Sequence, residues 1–174
     1  MFSHLENCLR FKFIAVDTEG FTADTILGVS VAHPGLEGMY FPIRHREHVN
    51  IDMELARFLV YVLETVEYRV FQHAGHDTVI LPFLSDLPFA CTMIRAHMID
   101  ENVMSKSLDY LGKYYCDEGK VDDSLMQSII KTHGWDWVPY ELMRVYATQD
   151  AVLTMKLFLQ LLPLYERQYG ALWS

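Results

Sequence analysis

Asp17 and Glu19 stand one residue apart at the end of an apolar run, FIAVDTEG (residues 13–20). In an extended strand, residues i and i+2 share a face, so both carboxylates project together. Two such charges repel one another and raise a pKa unless a cation compensates them. Oxygen-only clusters of this kind suit hard divalent ions such as Mg²⁺ and Mn²⁺. Taken alone, the pair fits a strand end opening into solvent better than it fits a metal site. Asp77 follows another strand-like run in FQHAGHDTVIL (71–81), where it reads either as a further carboxylate of a site or as a helix N-cap. His73 and His76 beside it do not make a zinc site, because no further His or Cys cluster completes a tetrahedral set. In YATQD, Tyr146 and Asp150 lie at i and i+4, which puts a phenol and a carboxylate on one helical face. That spacing serves a reactive site or a plain Tyr–Asp hydrogen bond on a surface helix.

The elements that must position these residues follow from hydrophobic periodicity. FKFIAV (11–16), rich in Phe, Ile and Val, predicts a largely buried strand. ILGVSVAH (26–33) and GMYFPI (38–43) predict two more, joined by the turn-rich PGLEG; the short connections favour an antiparallel meander. In IDMELARFLVYVLETV (51–66), Leu55, Phe58, Leu59, Val62, Leu63 and Val66 recur at three- and four-residue spacing, the stripe of an amphipathic helix. YRVFQH (68–73) predicts a fourth strand, parallel to the first because a helix intervenes. A short helix near 78–84 and a fifth strand, FACTM (89–93), come next. The remainder reads as helical: LDYLGKYY (108–115), DDSLMQSIIKTHGW (122–135), and a last helix from near Pro139, with Pro163 as a kink or break. The expected fold class is therefore α/β: a five-stranded mixed sheet, an antiparallel meander of strands 1–3 followed by parallel strands 4 and 5, with flanking helices and a helical C-terminal third.

A chain of 174 residues suits a single domain over 1–174 with a sizeable core. Apolar residues make up 51% and charged residues 21%, which excludes a disordered chain. No apolar run is long enough to span a bilayer and the N-terminus lacks a secretion signal, so a cytoplasmic protein without membrane association is expected. Cys8, Cys91 and Cys116 share no ligand spacing and read as reduced thiols. The formal charge of −9 is the wrong sign for a domain that binds nucleic acid unaided, since such affinity comes from Lys and Arg. It is compatible with an enzyme whose acids surround cations.

Order and spacing of the three acidic stations carry a resemblance. An acidic pair on the first strand, an Asp after the fourth, and Tyr-x-x-x-Asp on a C-terminal helix resemble the DEDD superfamily of 3′–5′ exonucleases, which has a ribonuclease H-like fold, in its tyrosine-containing branch. YFPIRH (40–45), Thr92-Met93 and SLDYLGKYY (107–115) are similar to stretches of the proofreading exonuclease domain of family A DNA polymerases. The resemblance implies a ligand set of Asp17, Glu19, Asp77 and Asp150 around two divalent ions, Mg²⁺ or Mn²⁺. One ion would activate a water and the other would stabilise the departing 3′-oxygen. It implies that Tyr146 orients that water, a phenol being a poor base at neutral pH. It also implies that Thr18, Gly20, Phe21 and His73 contact substrate; Phe21 reads either as a stacking surface for a base or, more simply, as an ordinary loop aromatic packed on the core.

The substrate so implied is the 3′ end of single-stranded DNA, cut to nucleoside 5′-monophosphates in proofreading or degradation. A ribonuclease D-like action on RNA is the alternative, and a silent binding or scaffold module of the same fold is a third reading. One motif departs from the family: its usual Asn-x-x-x-(Phe/Tyr)-Asp is here His73-Ala-Gly-His76-Asp77. The acidic net charge favours delivery by a partner, a polymerase or other replication protein.

Overall fold

The computed structural model describes residues 1–47 and 49–170. Its elements run α1 (Phe2–Cys8), β1 (Phe13–Glu19), β2 (Gly28–Ala32), β3 (Gly38–Pro42), α2 (Met53–Thr65), β4 (Tyr68–Phe71), α3 (Ala74–Ile80), β5 (Phe89–Cys91), α4 (Thr92–Ile99), α5 (Leu108–Cys116), α6 (Ser124–His133) and α7 (Tyr140–Tyr169). Strand order across the sheet is β3-β2-β1-β4-β5. β1 pairs antiparallel with β2 and parallel with β4; β2–β3 is antiparallel and β4–β5 parallel. The expected five-stranded mixed sheet is present, with β1 at its centre.

Alternation along β1 explains why the sheet buries both faces. Ile14 and Val16 join Val29, Val31 and Phe41 against Leu55, Leu59, Val62 and Leu63 of α2. Ala15 joins Ala32, Val70 and Ala90 on the other face, where small side chains let Ala151, Met155 and Phe158 of α7 pack close to the strands. Gly38 sits against the same helix: a Cβ there would come within 2.7 Å of Val152. The face that receives α7 is therefore also the face of Asp17 and Glu19, two and four residues beyond Ala15.

Several boundaries differ from the sequence expectation, each for a local reason. β1 does not end before its acids but runs on through Glu19, paired with Gly28 of β2. α3 begins at Ala74 rather than near Thr78, because His73 serves as N-cap and its Nδ1 accepts from the His76 amide at 3.1 Å. Asp77 is thus inside the first turn, not the cap. Thr92 and Met93 open α4 rather than ending β5; the Thr92 hydroxyl donates to the Phe71 carbonyl. Pro163 does not break the last helix, which continues through it with Leu161 and Tyr165 both buried. Pro139 is the N-cap of α7, one position before its first turn. The N-terminal segment, to which the sequence pattern assigned no element, forms α1, and its Leu5 and Cys8 complete the α2-side core. Among the described residues no helix is long and apolar enough to cross a membrane.

Candidate active site

The parallel strands β1 and β4 end at the same edge of the sheet, and the loops and helices beyond that edge enclose an open cleft of about 410 Å³. Asp17 and Glu19 enter it from β1, Asp77 from α3, and Tyr146 and Asp150 from α7. All five residues read as a site from the sequence thus line one cavity. Glu19, Asp77 and Asp150 are each about 4% exposed, while Asp17 keeps more of its surface open to the cleft. The odd residue of the β1 motif, Thr18, faces the opposite side of the strand and meets α3: its hydroxyl donates to Asp77 Oδ1 at 2.8 Å. Thr18, expected as a substrate contact, lines the cleft and at the same time orients Asp77.

Electrostatics in the cleft are adverse to free carboxylates. Burial, then Glu19, Asp150 and Asp77, lift Asp17 well above the usual carboxylate range. Burial and the Asp150 charge push Glu19 up to about 8. Burial raises Asp77 to about 6 despite the Thr18 hydrogen bond. Asp150 is also raised by burial. Its Oδ1 is buried and accepts no hydrogen bond within the described residues. Four carboxylates crowded at low dielectric, one with an orphaned oxygen, form an oxygen-only donor set that fits hard divalent cations.

One cation from the chain itself already reaches this group. Lys120, in the segment between α5 and α6, lies with Nζ 2.5 Å from Asp150 Oδ2 and donates to the Tyr146 hydroxyl. Its ammonium also sits 4.3 Å from the centre of the Tyr146 ring. Burial and the surrounding carboxylates push the Tyr146 phenol far above its ordinary value, so it remains a neutral hydroxyl at any working pH. Lys120 was not singled out from the sequence; the i to i+4 pairing of Tyr146 with Asp150 was visible, but the cation between them arrives through tertiary contact.

The remaining expected contacts also line the cleft. Gly20 adopts φ +143°, and a Cβ there would come within 2.8 Å of the Thr25 carbonyl, so the β1 exit requires glycine. Phe21 is 60% exposed at the rim and meets the ring of Trp135 edge-on at 5.6 Å. Trp135, a second aromatic of the rim, was missed because its partner Phe21 lies in a distant loop. His73 lines the cleft while capping α3.

Away from the cleft, His4, His33 and Glu37 bring possible ligand atoms within 4.8 Å of one another. Gly35 N–H donates to His33 Nδ1 at 3.1 Å, which leaves the proton of a neutral ring on Nε2. Neither nitrogen of His33 then offers a free lone pair, and the group ties the β2–β3 turn to α1 rather than forming a metal site.

No family model matches the chain. It is 29% identical over 189 aligned positions to the DNA polymerase DpoZ of Salmonella phage PMBT28; the match takes in 91% of this chain and 27% of the polymerase's length. Among solved structures it is similar to Brucella melitensis NrnC, with a TM-score of 0.70 and 15% identity over 95% of this chain and 79% of that one. That protein has also been solved with bound Mg²⁺ and bound to pGG. Escherichia coli RNase D, an exoribonuclease involved in structured RNA processing, superposes with a TM-score of 0.69 at 17% identity, over 95% of this chain and 42% of RNase D. These likenesses bear out the architecture that the sequence resemblance implied: this chain has a ribonuclease H-like fold, shared with NrnC and RNase D.

Proposed function

We propose that the chain is a metal-dependent 3′–5′ exonuclease that removes nucleoside 5′-monophosphates from the 3′ end of single-stranded DNA. The observation that carries this reading is the convergence of Asp17, Glu19, Asp77 and Asp150 from three elements on one open cleft, with Tyr146 beside them. The 29% identity to a phage DNA polymerase favours DNA over RNA and a replication partner, and the Mg²⁺ carried by NrnC favours a divalent ion.

Asp17, Glu19, Asp77 and Asp150 would hold two divalent ions, Mg²⁺ or Mn²⁺. Such a pair, when bound, supplies charge stabilisation to the attacking and leaving oxygens of a phosphoryl displacement. The chain's own groups do the rest. Tyr146, held neutral by its acidic surroundings, donates a hydrogen bond that orients the attacking water and does not abstract its proton. Thr18 keeps Asp77 turned toward the cleft. Phe21 and Trp135 offer aromatic surface to the terminal base, where stacking contributes about 1–3 kcal/mol per base. Addition of water across the last phosphodiester releases the 5′-monophosphate and leaves a new 3′-hydroxyl on the shortened strand.

The test is incubation of 5′-labelled single-stranded DNA and RNA with the protein and Mg²⁺ or Mn²⁺. Stepwise shortening from the 3′ end that stops with EDTA and in Asp17→Asn supports the reading. Faster shortening of RNA than DNA would reassign the substrate, and no cleavage of either polymer would overturn the function.

A further inference from the structure

Asp17, Glu19, Asp77 and Asp150 leave the cleft strongly acidic, and among its described lining residues Lys120 is the one Lys or Arg. A lysine so close to a carboxylate is ordinary on a surface, but Lys120 is held there from several sides. Its own amide donates to Asp109 Oδ1 of α5 at 3.0 Å. Gln149, next to Asp150 on α7, grips the residues on either side: its Nε2 donates to the Gly119 carbonyl at 3.0 Å, and its Oε1 accepts from the Val121 amide at 3.1 Å. Glu118 pairs with Lys156 of α7, and its amide donates to the Gly112 carbonyl at 3.2 Å. Gly119 lies close under the side chains of Asp109 and Lys113: a Cβ there would come within 2.5 Å of Lys113 Cε and 2.7 Å of Asp109 Oδ1, so these side chains would have to move. Asp117 turns the chain out of α5 in the left-handed conformation, φ 55°. A loop pinned by α5 and α7 therefore delivers one ammonium to Asp150 and Tyr146, with 23% of the side chain exposed.

We propose that Lys120 is a tethered counter-cation of the carboxylate cluster, a positioning residue that holds Asp150 and Tyr146 and competes with the divalent ions for Asp150. The inference rests on the nuclease reading of the same cleft. Lys120 Nζ and a divalent ion both seek the oxygens of Asp150, and like charges there oppose one another. Lys120 pulls Asp17, Glu19 and Asp150 all downward, against the charges of Glu19, Asp150 and Asp77 on Asp17, of Asp150 and Asp77 on Glu19, and of Asp123 on Asp150. The lysine thus moderates the repulsion within the cluster and, by the same charge, weakens its grip on a metal. The pinned loop makes this competition a property of the fold, because Gln149 couples the position of Lys120 to the helix that carries Asp150.

Mn²⁺ titration by calorimetry, without nucleic acid, tests this on the full chain. Lys120→Met should bind Mn²⁺ about tenfold more tightly than the wild type, the loss of one neighbouring positive charge. Lys120→Arg, which keeps the charge, should bind as the wild type does. Gln149→Leu, which frees the loop without touching the charge, should move affinity in the direction of Lys120→Met. In EDTA, Lys120→Met should melt below the wild type, and saturating Mn²⁺ should close that gap. Equal or weaker Mn²⁺ binding by Lys120→Met, with wild-type-like binding by Gln149→Leu, overturns the inference and leaves the nuclease reading intact. Absence of Mn²⁺ binding by the wild type overturns both.

Discussion

The Thr18 hydroxyl reaches across from the central strand to Asp77 Oδ1 at 2.8 Å, joining two carboxylate stations that lie far apart in the chain. Because β1 alternates, the residue between Asp17 and Glu19 must face away from them, and α3 puts Asp77 where that residue can hold it. Thr18→Val keeps the shape and removes the donor. Asp77, already raised to about 6, should rise further, so Mn²⁺ affinity at pH 6.5 should fall about tenfold, in keeping with a hydrogen bond to a charged group. Calorimetry at pH 6.5 and 8.5 checks this; the deficit should shrink at the higher pH.

On the proposed function, Asp17→Asn and Asp150→Asn should each lower cleavage about a hundredfold or more, since each would remove a ligand of ions expected to contribute several kcal/mol to the displacement. The same changes relieve repulsion in the metal-free protein. Thermal melting in EDTA should therefore rise for Asp17→Asn, whose carboxylate is opposed by Glu19, Asp150 and Asp77. A lower melting point would contradict the crowding described here.

Tyr146→Phe separates water orientation from metal binding. Cleavage should slow about tenfold to a hundredfold, the scale of a misplaced reactant, while Mn²⁺ affinity changes little. A variant with unaltered single-turnover rate would remove Tyr146 from the reaction.

The raised carboxylates fix the sign of a pH dependence. Glu19 goes from 4.5 to about 8 on folding in the absence of metal. Across that window the unfolded chain has released its proton and the folded chain still holds it, so stability falls as pH rises and levels off above about 8. Asp77, raised to about 6, adds to the lower part of the same fall. Melting in EDTA at pH 5 and pH 8 should show the decline, and excess Mg²⁺ should abolish it at the upper end. A melting point that is flat or increasing over this range would refute the assignment.

Gly28 pairs with Glu19 and faces Tyr40, whose ring a Cβ at position 28 would meet at 2.4 Å. Tyr40 cannot simply swing aside, because its hydroxyl is hydrogen-bonded to His45 Nε2 at 2.6 Å. Gly28→Ala should cost about 1–3 kcal/mol through overpacking, measurable by urea unfolding. Because the displaced strand carries the pairing of Glu19, cleavage should fall as well.

Much of this was legible in the sequence because it depends on period. The alternation of Ile14, Ala15, Val16 and Asp17 set the two faces of β1, and the four-residue step from Tyr146 to Asp150 set one face of α7. Residues whose position depends on tertiary contact were not legible. Lys120 lies in DEGKVDD, which has no period, and its place is decided by Asp109 and Gln149. The start of α3 was misplaced because its cap is a histidine rather than the expected Asp77. α1 offers only a few buried residues and a short span, too little for an amphipathic pattern.

The cluster is assembled from residues made far apart in time. Asp17 is made well before Asp150, which arrives with α7, the helix that also seals the face of the sheet on which Asp17 lies. At about 5–20 residues per second, a ribosome needs roughly 7–27 s to pass from one to the other. During that interval the growing chain holds an incomplete carboxylate cluster and an uncovered sheet face. A product that stops before α7 lacks Tyr146 and Asp150 and leaves that face of the sheet bare, so the cleft cannot assemble until this helix has been made and docked.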